Sequence, residues 1–249
     1  MSIKAIVHGA GGHMGQILCR LLIEHDAMEL ADAVDPFGGT VEADGRTILK
    51  SLDEITQPAD VIIDFSHHSC CPSLMAYAEK KHLPVVLCTT GITEEEQKTV
   101  EQAAKSIAVF QSGNMSVGIA LLRRLAREAA QIMEGCDIEI VEAHHNRKLD
   151  APSGTALMLA DEIKKVRPEA EYVLGRAGEH KRTPQEIGIS SLRMGNVVGD
   201  HTVILATENQ SITIQHHAQD RALFADGAIT AAKFLIKQKP GIYDMDDML

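Results

Sequence analysis

The side chains best suited to acid–base chemistry lie together in one stretch, residues 142–156. Two adjacent histidines, His144 and His145, are followed after two further residues by Lys148. Histidine titrates near neutral pH and suits proton transfer, while the lysine ammonium adds a proton donor and a positive charge. This combination predicts a centre that can hold an anion and pass it a proton.

The same stretch ends in Ser153, Gly154 and Thr155, just before a helical pattern. Backbone N–H groups and hydroxyls at such a helix start form a nest for anions. Together with the cationic side chains, this nest would suit a small dicarboxylate. The spacing alone also allows a solvated basic loop with a helix start set by Pro152.

A second feature is a glycine-rich turn that follows a strand pattern and opens a helix. Glycine there lets backbone N–H groups approach a pyrophosphate at the helix N-terminus. Asp35 ends the next strand pattern, 20 residues after Gly15, where a carboxylate can hold a ribose 2′-OH. The alternative is a plain turn and a solvated aspartate. The nucleotide interpretation is favoured, and the turn consists of Gly9, Ala10, Gly11, Gly12, His13, Met14 and Gly15.

Asp35 also bears on the choice of coenzyme. A carboxylate accepts a hydrogen bond from a 2′-OH but repels a 2′-phosphate, and Pro36 follows with no adjacent Arg or Lys. These residues predict a preference for NADH over NADPH.

Two further loops follow strand patterns at the end of the sheet where open α/β folds bind ligands. One is Cys88-Thr89-Thr90-Gly91 and the other is residues 111–116. Both could equally be ordinary βα loops. Cys88 is interpreted as a packing residue rather than a nucleophile, because no base is identifiable beside it.

The patterns that position these residues change near residue 116. Before it, strand and helix patterns alternate, which predicts βαβ units and a parallel sheet, with Thr93 as a helix N-cap. After it, strand patterns follow one another without helices, which predicts a second, more antiparallel α+β layer. The polar, basic loop 174–186 is expected to be mobile. Predicted strands are 3–8, 29–35, 60–65, 84–88, 107–110, 137–143, 187–193, 201–205 and 211–217; predicted helices are 16–25, 70–82, 93–105, 116–133, 154–166 and 222–236.

Composition narrows the function classes. The 249 residues carry 24 basic and 35 acidic side chains, a net charge of −11, and only 3% aromatic residues, which disfavours nucleic-acid binding. No apolar run approaches 18 residues, so no membrane span is expected. Five cysteines without a C-x-x-C pair, and an N-terminus without a signal-peptide pattern, predict a cytoplasmic protein with reduced thiols. The histidine pairs lack metal-ligand spacing, so no metal is expected.

The chain resembles the dihydrodipicolinate reductase family over nearly its whole length. Residues 142–156 match the pattern E-x-H-H-x-x-K-x-D-A-P-S-G-T-A without a gap. Other matching motifs occur in the family's order: Gly9–Gly15, Asp64–Ser66, Thr89–Gly91, Asn114–Gly118 and Gly199–His201.

This resemblance implies a fold and an activity. The fold is a Rossmann-type parallel-sheet domain (1–115, completed by 221–249) and an α+β domain (116–220) with a mixed or antiparallel sheet, which binds substrate and forms a homotetramer. The activity is NAD(P)H-dependent reduction of a dihydrodipicolinate-type cyclic imine to tetrahydrodipicolinate in lysine/diaminopimelate biosynthesis.

The resemblance also implies residue roles. His144 would be the proton donor or acceptor and Lys148 the proton donor, while His145, Ser153, Gly154 and Thr155 would bind the substrate. The coenzyme would contact Gly9, Ala10, Gly11, Gly12, His13, Met14, Asp35, Cys88, Thr89, Thr90, Ser112, Gly113, Asn114 and Met115.

Three positions depart from the family pattern. His13 and Pro36 stand where members commonly or often have Arg, and Cys88 replaces a common Gly. Two other functions stay open: another nicotinamide-dependent oxidoreductase of amino-acid metabolism, and a non-catalytic module that senses NADH.

Overall fold

A computed structural model describes residues 2–249. The chain folds into two compact units. The first unit is Met1–Ser116 together with Ala222–Leu249, and the second is Val117–Arg221. Each boundary lies one residue later than the domain boundary expected from the sequence. No helix within residues 2–249 is long and apolar enough to cross a membrane.

The elements are numbered here in chain order. The helices are α1 (His13–Glu24), α2 (Cys71–Lys81), α3 (Glu94–Ala103), α4 (Val117–Ile132), α5 (Gly154–Lys164), α6 (Ala222–Leu235) and α7 (Met245–Met248). The strands are β1 (Ile3–His8), β2 (Met28–Val34), β3 (Gly39–Thr40), β4 (Thr47–Ile48), β5 (Val61–Asp64), β6 (Val85–Leu87), β7 (Ala108–Gln111), β8 (Asp137–His144), β9 (Glu171–Leu174), β10 (Glu186–Arg193), β11 (Gly199–Ala206), β12 (Ser211–Ala218) and β13 (Gly241–Tyr243).

The first unit is built on a six-stranded parallel sheet in the order β13-β7-β6-β5-β1-β2. The expected βαβ architecture is therefore confirmed. The direction of winding reverses between β1 and β5, because β2 lies on one side of β1 and the later strands lie on the other. Ligands of open α/β sheets bind at the carboxyl ends of the strands at such a switch point.

Helices cover this sheet by burying apolar stripes. Leu74 and Met75 of α2 and Val100 of α3 pack with the strand residues Ile62 and Val109 in one buried cluster. α1 and α6 contact each other and the strands of the same sheet. α3 begins as expected, because the Thr93 side chain caps the Glu96 N–H and the Glu96 carboxylate returns the bond.

The second unit has a five-stranded sheet in the order β12-β11-β8-β10-β9. β8 pairs parallel with β10 and antiparallel with β11, so the sheet is mixed rather than mainly antiparallel. β9, a short strand that the sequence patterns did not predict, adds a second parallel pair with β10. α4 and α5 pack on this sheet, with Ala126, Leu159 and Ile140 in the core.

The predicted mobile loop 174–186 has its two arginines in ion pairs with acidic side chains. Arg176 lies 2.5 Å from a Glu186 carboxylate oxygen, and Arg182 lies 2.8 Å from Asp137 and 2.5 Å from Glu139. These guanidinium groups hold the loop against β8 and β10, so they act as structural cations.

Candidate active site

The centre of the site is a carboxylate–imidazole pair on β8. Glu142 and His144 are two residues apart on a strand, so their side chains share a face. The His144 Nδ1 atom lies 2.6 Å from Glu142 Oε2, and Glu142 is completely buried. Because the carboxylate can only accept, His144 donates its Nδ1 proton, which leaves Nε2 as the atom that exchanges a proton.

Arg193 completes the surroundings of Glu142. Its two terminal nitrogens lie 2.9 and 2.8 Å from the two Glu142 oxygens, and the Ser153 backbone N–H donates to Oε1 at 3.1 Å. Burial alone would raise the pKa of Glu142, but hydrogen bonds from Arg193, Ser191 and His144 lower that pKa to about 2. Glu142 is therefore a fixed anion at neutral pH.

His201 lies on the neighbouring strand β11 beside this pair. Its ring meets the His144 ring edge-to-face with centroids 5.2 Å apart, and its Nε2 lies 3.1 Å from Ser153 Oγ. Burial, reinforced by the His144 charge, lowers the pKa of His201 to about 4. Its Nδ1 is buried without a hydrogen-bond partner, so a protonated ring would strand an N–H⁺ there. At neutral pH, His201 is therefore an uncharged side chain that packs beside His144.

Glycine at position 199 keeps the reactive nitrogen accessible. A Cβ atom built on Gly199 would lie 3.1 Å from His144 Nε2, tighter than an ordinary contact. The absence of a side chain at this position therefore leaves room next to Nε2.

The residues after β8 form a turn that brings Lys148 back toward the strand end. The Lys148 N–H donates to the His145 carbonyl at 3.1 Å, and the Lys148 ammonium lies 2.8 Å from an Asp150 carboxylate oxygen. Burial, together with the positive charges of Arg147 and Arg221, lowers the pKa of His145, whose buried Nδ1 has no hydrogen-bond partner.

The start of α5 lies at the end of the same segment. Ser153 is its N-cap: the Ser153 hydroxyl accepts from the Ala156 N–H at 3.2 Å and also contacts His201. With its N–H given to Glu142, Ser153 is buried with its N–H and hydroxyl occupied within the chain. Gly154 is exposed with open space around its α-carbon, and Thr155 is half-buried. The accessible part of the predicted nest is therefore Gly154–Thr155.

The first unit carries the other candidate site, at the glycine-rich turn. Gly9 has a φ of +81°, and a Cβ on Gly15 would lie 2.1 Å from the Gly9 carbonyl oxygen, so both positions require glycine. Gly12 caps α1 without any side-chain hydrogen bond. The first N–H groups of α1 are thus left to an external anion. Gly11, Gly12 and His13 are exposed, Met14 is half-buried, and Ala10 is buried.

Asp35 lies against this turn, as its spacing suggested. Its two oxygens accept from the Gly11 N–H at 3.1 Å and from the Phe37 N–H at 3.0 Å. Each carboxylate oxygen has a second lone pair, so the carboxylate keeps acceptor capacity for a ribose hydroxyl.

The loop after β6 divides into buried and exposed parts. Cys88 and Thr89 are buried, and Thr90 and Gly91 are exposed. Burial and the nearby Asp64 carboxylate raise the pKa of the Cys88 thiol well above its ordinary value, which favours the neutral thiol over a thiolate nucleophile. The interpretation of Cys88 as a packing residue is confirmed.

The loop after β7 is shaped by its own polar side chains. Ser112 Oγ donates to the Asn114 carbonyl at 2.8 Å, and the Ser116 N–H donates to Asn114 Oδ1 at 2.9 Å. Gly113 is exposed and Met115 is buried. These bonds hold a short loop at the same carboxyl edge of the parallel sheet as the glycine-rich turn.

Several side chains near the candidate sites were not predicted from the sequence. Beside Asp35 lies a cavity of about 380 Å³ whose lining includes Pro36, Lys50, Tyr77 and Lys80. The two lysines are distant from Asp35 in sequence, so spacing gave no sign of them. Arg193 and His201 were missed for the same reason. Glu142 lies on the predicted strand 137–143 and His144 directly follows that strand, so their i, i+2 relation was a usable signal.

Two family models match this chain, one over its amino-terminal part and one over the rest. Residues 3–115 match the family described as "Dihydrodipicolinate reductase, N-terminus", and residues 118–249 match "Dihydrodipicolinate reductase, C-terminus". A 4-hydroxy-tetrahydrodipicolinate reductase of Caldanaerobacter subterraneus subsp. tengcongensis is 51% identical, with 100% of this chain and 99% of that protein covered. The Clostridium tetani protein of the same name is 41% identical, with 100% and 98% covered.

A solved structure shares the fold. Dipicolinate-bound dihydrodipicolinate reductase from Paenisporosarcina sp. TG-14 superposes with a TM-score of 0.84 at 24% identity, covering 100% of both chains.

Proposed function

This chain belongs to the dihydrodipicolinate reductase family, and from that membership we propose how its residues carry the reaction. The protein is a 4-hydroxy-tetrahydrodipicolinate reductase: it reduces a dihydrodipicolinate-type cyclic imine to tetrahydrodipicolinate in lysine/diaminopimelate biosynthesis, using a nicotinamide coenzyme.

The first unit fits that coenzyme. The close approach of Gly15 to Gly9, the uncapped start of α1 and the Asp35 carboxylate beside Gly11 make a cradle for a pyrophosphate and a ribose. These residues would hold a reduced nicotinamide coenzyme, which would supply a hydride for C4 of the substrate's conjugated imine.

The second unit supplies the proton. When a hydride adds to C4, the displaced electron pair ends on a substrate position that must be protonated. His144 suits this role, because Glu142 holds its Nδ1 proton and stabilises the charged ring, and the glycine at position 199 places no side chain against Nε2. Such acid catalysis contributes roughly 10²–10⁴-fold to the rate. The buried Glu142–His144 pair is the observation that carries this assignment.

Lys148 is the second cation of the site. Its ammonium offsets the negative charge of a dianionic substrate and is the alternative proton donor, while Gly154 and Thr155 at the start of α5 receive a carboxylate. Removing Lys148 should therefore raise KM as well as lower kcat.

The direct test couples this protein to the synthase that forms its substrate from aspartate semialdehyde and pyruvate. NADH oxidation should require the synthase. His144→Ala and Lys148→Ala should each lose most activity while still binding NADH. Near-normal turnover in both variants would contradict the roles given to them. Oxidation of NADH by aspartate semialdehyde alone would instead favour a semialdehyde dehydrogenase.

Glu142→Gln tests the pair itself. A glutamine keeps the size of the side chain but no longer stabilises a charged His144 ring. Arg193, which binds Glu142, and His201, whose ring meets the His144 ring, both remain in the variant. We expect the pH above which kcat/KM falls to move to lower pH, with little change in NADH affinity.

We also propose that NADH is preferred over NADPH. The support is the Asp35 carboxylate beside Gly11 of the glycine-rich turn, which would repel a 2′-phosphate, followed by Pro36 with no adjacent Arg or Lys. Lys50 and Lys80 in the adjoining cavity would limit the size of this preference. Measuring kcat/KM with both coenzymes decides the matter, and a clear NADPH preference would refute the proposal.

The working state that we propose is a cytoplasmic homotetramer. All five cysteines are free thiols, which suits a reducing compartment. β12 is an edge strand of the second sheet with the apolar side chain of Ile212 half exposed, and it offers a surface for another copy of the chain. Sedimentation velocity gives the oligomeric state.

A further inference from the structure

A buried polar cluster in the first unit has no role in the reaction as described so far. His8 Nδ1 lies 2.7 Å from Asp64 Oδ1, and the Thr89 hydroxyl donates to Asp64 Oδ2 at 2.5 Å. The Ser66 N–H adds a third bond to Oδ1 at 3.2 Å. His8, Asp64 and Thr89 are 3%, 1% and 7% exposed, so the whole cluster lies inside the protein.

The position of this cluster in the sheet suggests a purpose. His8 is the last residue of β1 and pairs with Asp64, the last residue of β5. These two strands flank the switch point of the sheet. Asp64 in turn pairs with Leu87, the last residue of β6, from which the loop Cys88–Gly91 departs. One carboxylate therefore joins the carboxyl ends of three strands where the coenzyme is expected.

Thr89 has no hydroxyl proton left for a ligand. Its hydroxyl is within bonding distance of Asp64 Oδ2 and, at 3.0 Å, of the Ser66 carbonyl oxygen, and its side chain is buried. The next two residues differ: Thr90 is exposed, and Gly91 has a φ of +76° with open space around its α-carbon. Fixing Thr89 thus fixes how Thr90 and Gly91 are presented.

We propose that His8 and Asp64 are positioning residues that hold Thr89, so that the loop Cys88–Gly91 presents Thr90 and the Gly91 backbone to the nicotinamide coenzyme. Thr89 itself makes no side-chain contact with the coenzyme. The inference rests on the proposed coenzyme site. It assigns the positioning of the loop Cys88–Gly91 to His8 and Asp64.

The test compares Thr89→Val, which removes the hydroxyl at nearly constant shape, with Thr89→Ser, which keeps it. NADH binding is measured by calorimetry without substrate. Amide exchange at Thr90 and Gly91 is measured on the coenzyme-free protein. Thr99→Val on α3 removes a half-buried hydroxyl that donates to the Glu95 carbonyl of the same helix at 3.4 Å, and it is the matched control.

In Thr89→Val we expect the Kd for NADH to rise about ten-fold. Asp64 Oδ2 loses its hydrogen bond from Thr89, and the loop is then no longer held in the position that binds the coenzyme. Amide exchange in the loop should be faster even without coenzyme. Thr89→Ser should stay within about two-fold of the parent, and KM for the cyclic substrate should change little in any variant.

A double-variant cycle asks whether His8 acts through the same carboxylate. His8→Leu and Thr89→Val should be non-additive in NADH binding, because both act on Asp64. Additive effects, or a Thr89→Val protein that binds NADH as tightly as the parent, would overturn the inference. Thermal unfolding of each variant identifies a general loss of fold. An inactive parent that still binds NADH would refute the proposed reaction while leaving this test intact.

Discussion

Acidification should destabilise the protein in part through His201, the histidine whose pKa burial lowers to about 4. A histidine whose folded pKa is below its unfolded value binds fewer protons when folded, so folding becomes less favourable as the pH falls. Burial lowers the pKa of His201 from 6.5 to about 4. The stabilisation is therefore complete above pH 6.5 and is lost progressively between about pH 6.5 and pH 4.

The size of the effect follows from those two values. The difference between the unfolded and folded pKa values, at about 1.36 kcal/mol per unit, limits the loss of unfolding free energy to about 3.4 kcal/mol. This limit is reached below pH 4. At pH 5 the unfolded imidazole is almost fully protonated and the folded one is mostly neutral, which corresponds to about 2 kcal/mol; at pH 7 the same calculation gives about 0.2 kcal/mol. Because His201 is only 3% exposed, solvent screening reduces this little.

The assay is urea unfolding at pH 7 and pH 5, for the parent and for His201→Gln. The chain has no Trp, so far-UV circular dichroism is the better signal. His145 and His216, whose pKa values burial also lowers, remain in both proteins, so their contribution cancels in the difference. His67→Gln, which removes an exposed imidazole, is the matched control.

The difference in unfolding free energy between the parent and His201→Gln should change by about 2 kcal/mol from pH 7 to pH 5, in favour of the variant at the lower pH. A difference that stays constant within about 0.5 kcal/mol would refute the reasoning. In that case His201 would keep the same proton affinity when folded, and Nδ1 would have found a partner.

Three further changes have defined outcomes. Gly15→Ala should abolish NADH binding and lower the melting temperature, because its Cβ would lie 2.1 Å from the Gly9 carbonyl; calorimetry and thermal unfolding measure both. Gly199→Ala should lower kcat with little change in NADH affinity, since the new methyl crowds His144 Nε2; unchanged steady-state kinetics would count against Nε2 as the exchanging atom. Lys50→Ala should lower kcat/KM for NADPH several-fold and leave NADH little affected; equal losses for both coenzymes would contradict a role toward the 2′-phosphate.

Local patterns predicted most of the fold. β1 occupies the expected residues 3–8, and the Thr93 cap starts α3 at Glu94, because both depend on residues adjacent in sequence. The unpredicted elements are short, with two to four residues each, too few for a period to register: β3, β4, β9, β13 and α7. The parallel pairing of β8 with β10 also depends on a crossover that no local pattern encodes.

The site was predictable only where its residues are close in sequence. The stretch 142–156 suggested an acid–base centre by itself, but Arg193 is brought to it by sheet register, which pairs Arg193 with His144. The basic residues of loop 174–186 show the converse. Arg176 and Arg182 lie in a loop that the sequence predicts to be mobile, yet their acidic partners on β8 and β10 become neighbours only after the strands pair.

The chain's return to its first unit has a consequence for biosynthesis. α6 reaches back to pack on α1, and a Cβ on Gly227 would lie 1.7 Å from the Met115 carbonyl oxygen, so this helix is seated tightly against the loop after β7. The ribosome makes α6 and β13 only after all of residues 117–221. The amino-terminal sheet therefore leaves the exit tunnel with its β7 edge and α1 uncovered, and a nascent chain stalled before residue 222 should be a target for chaperones.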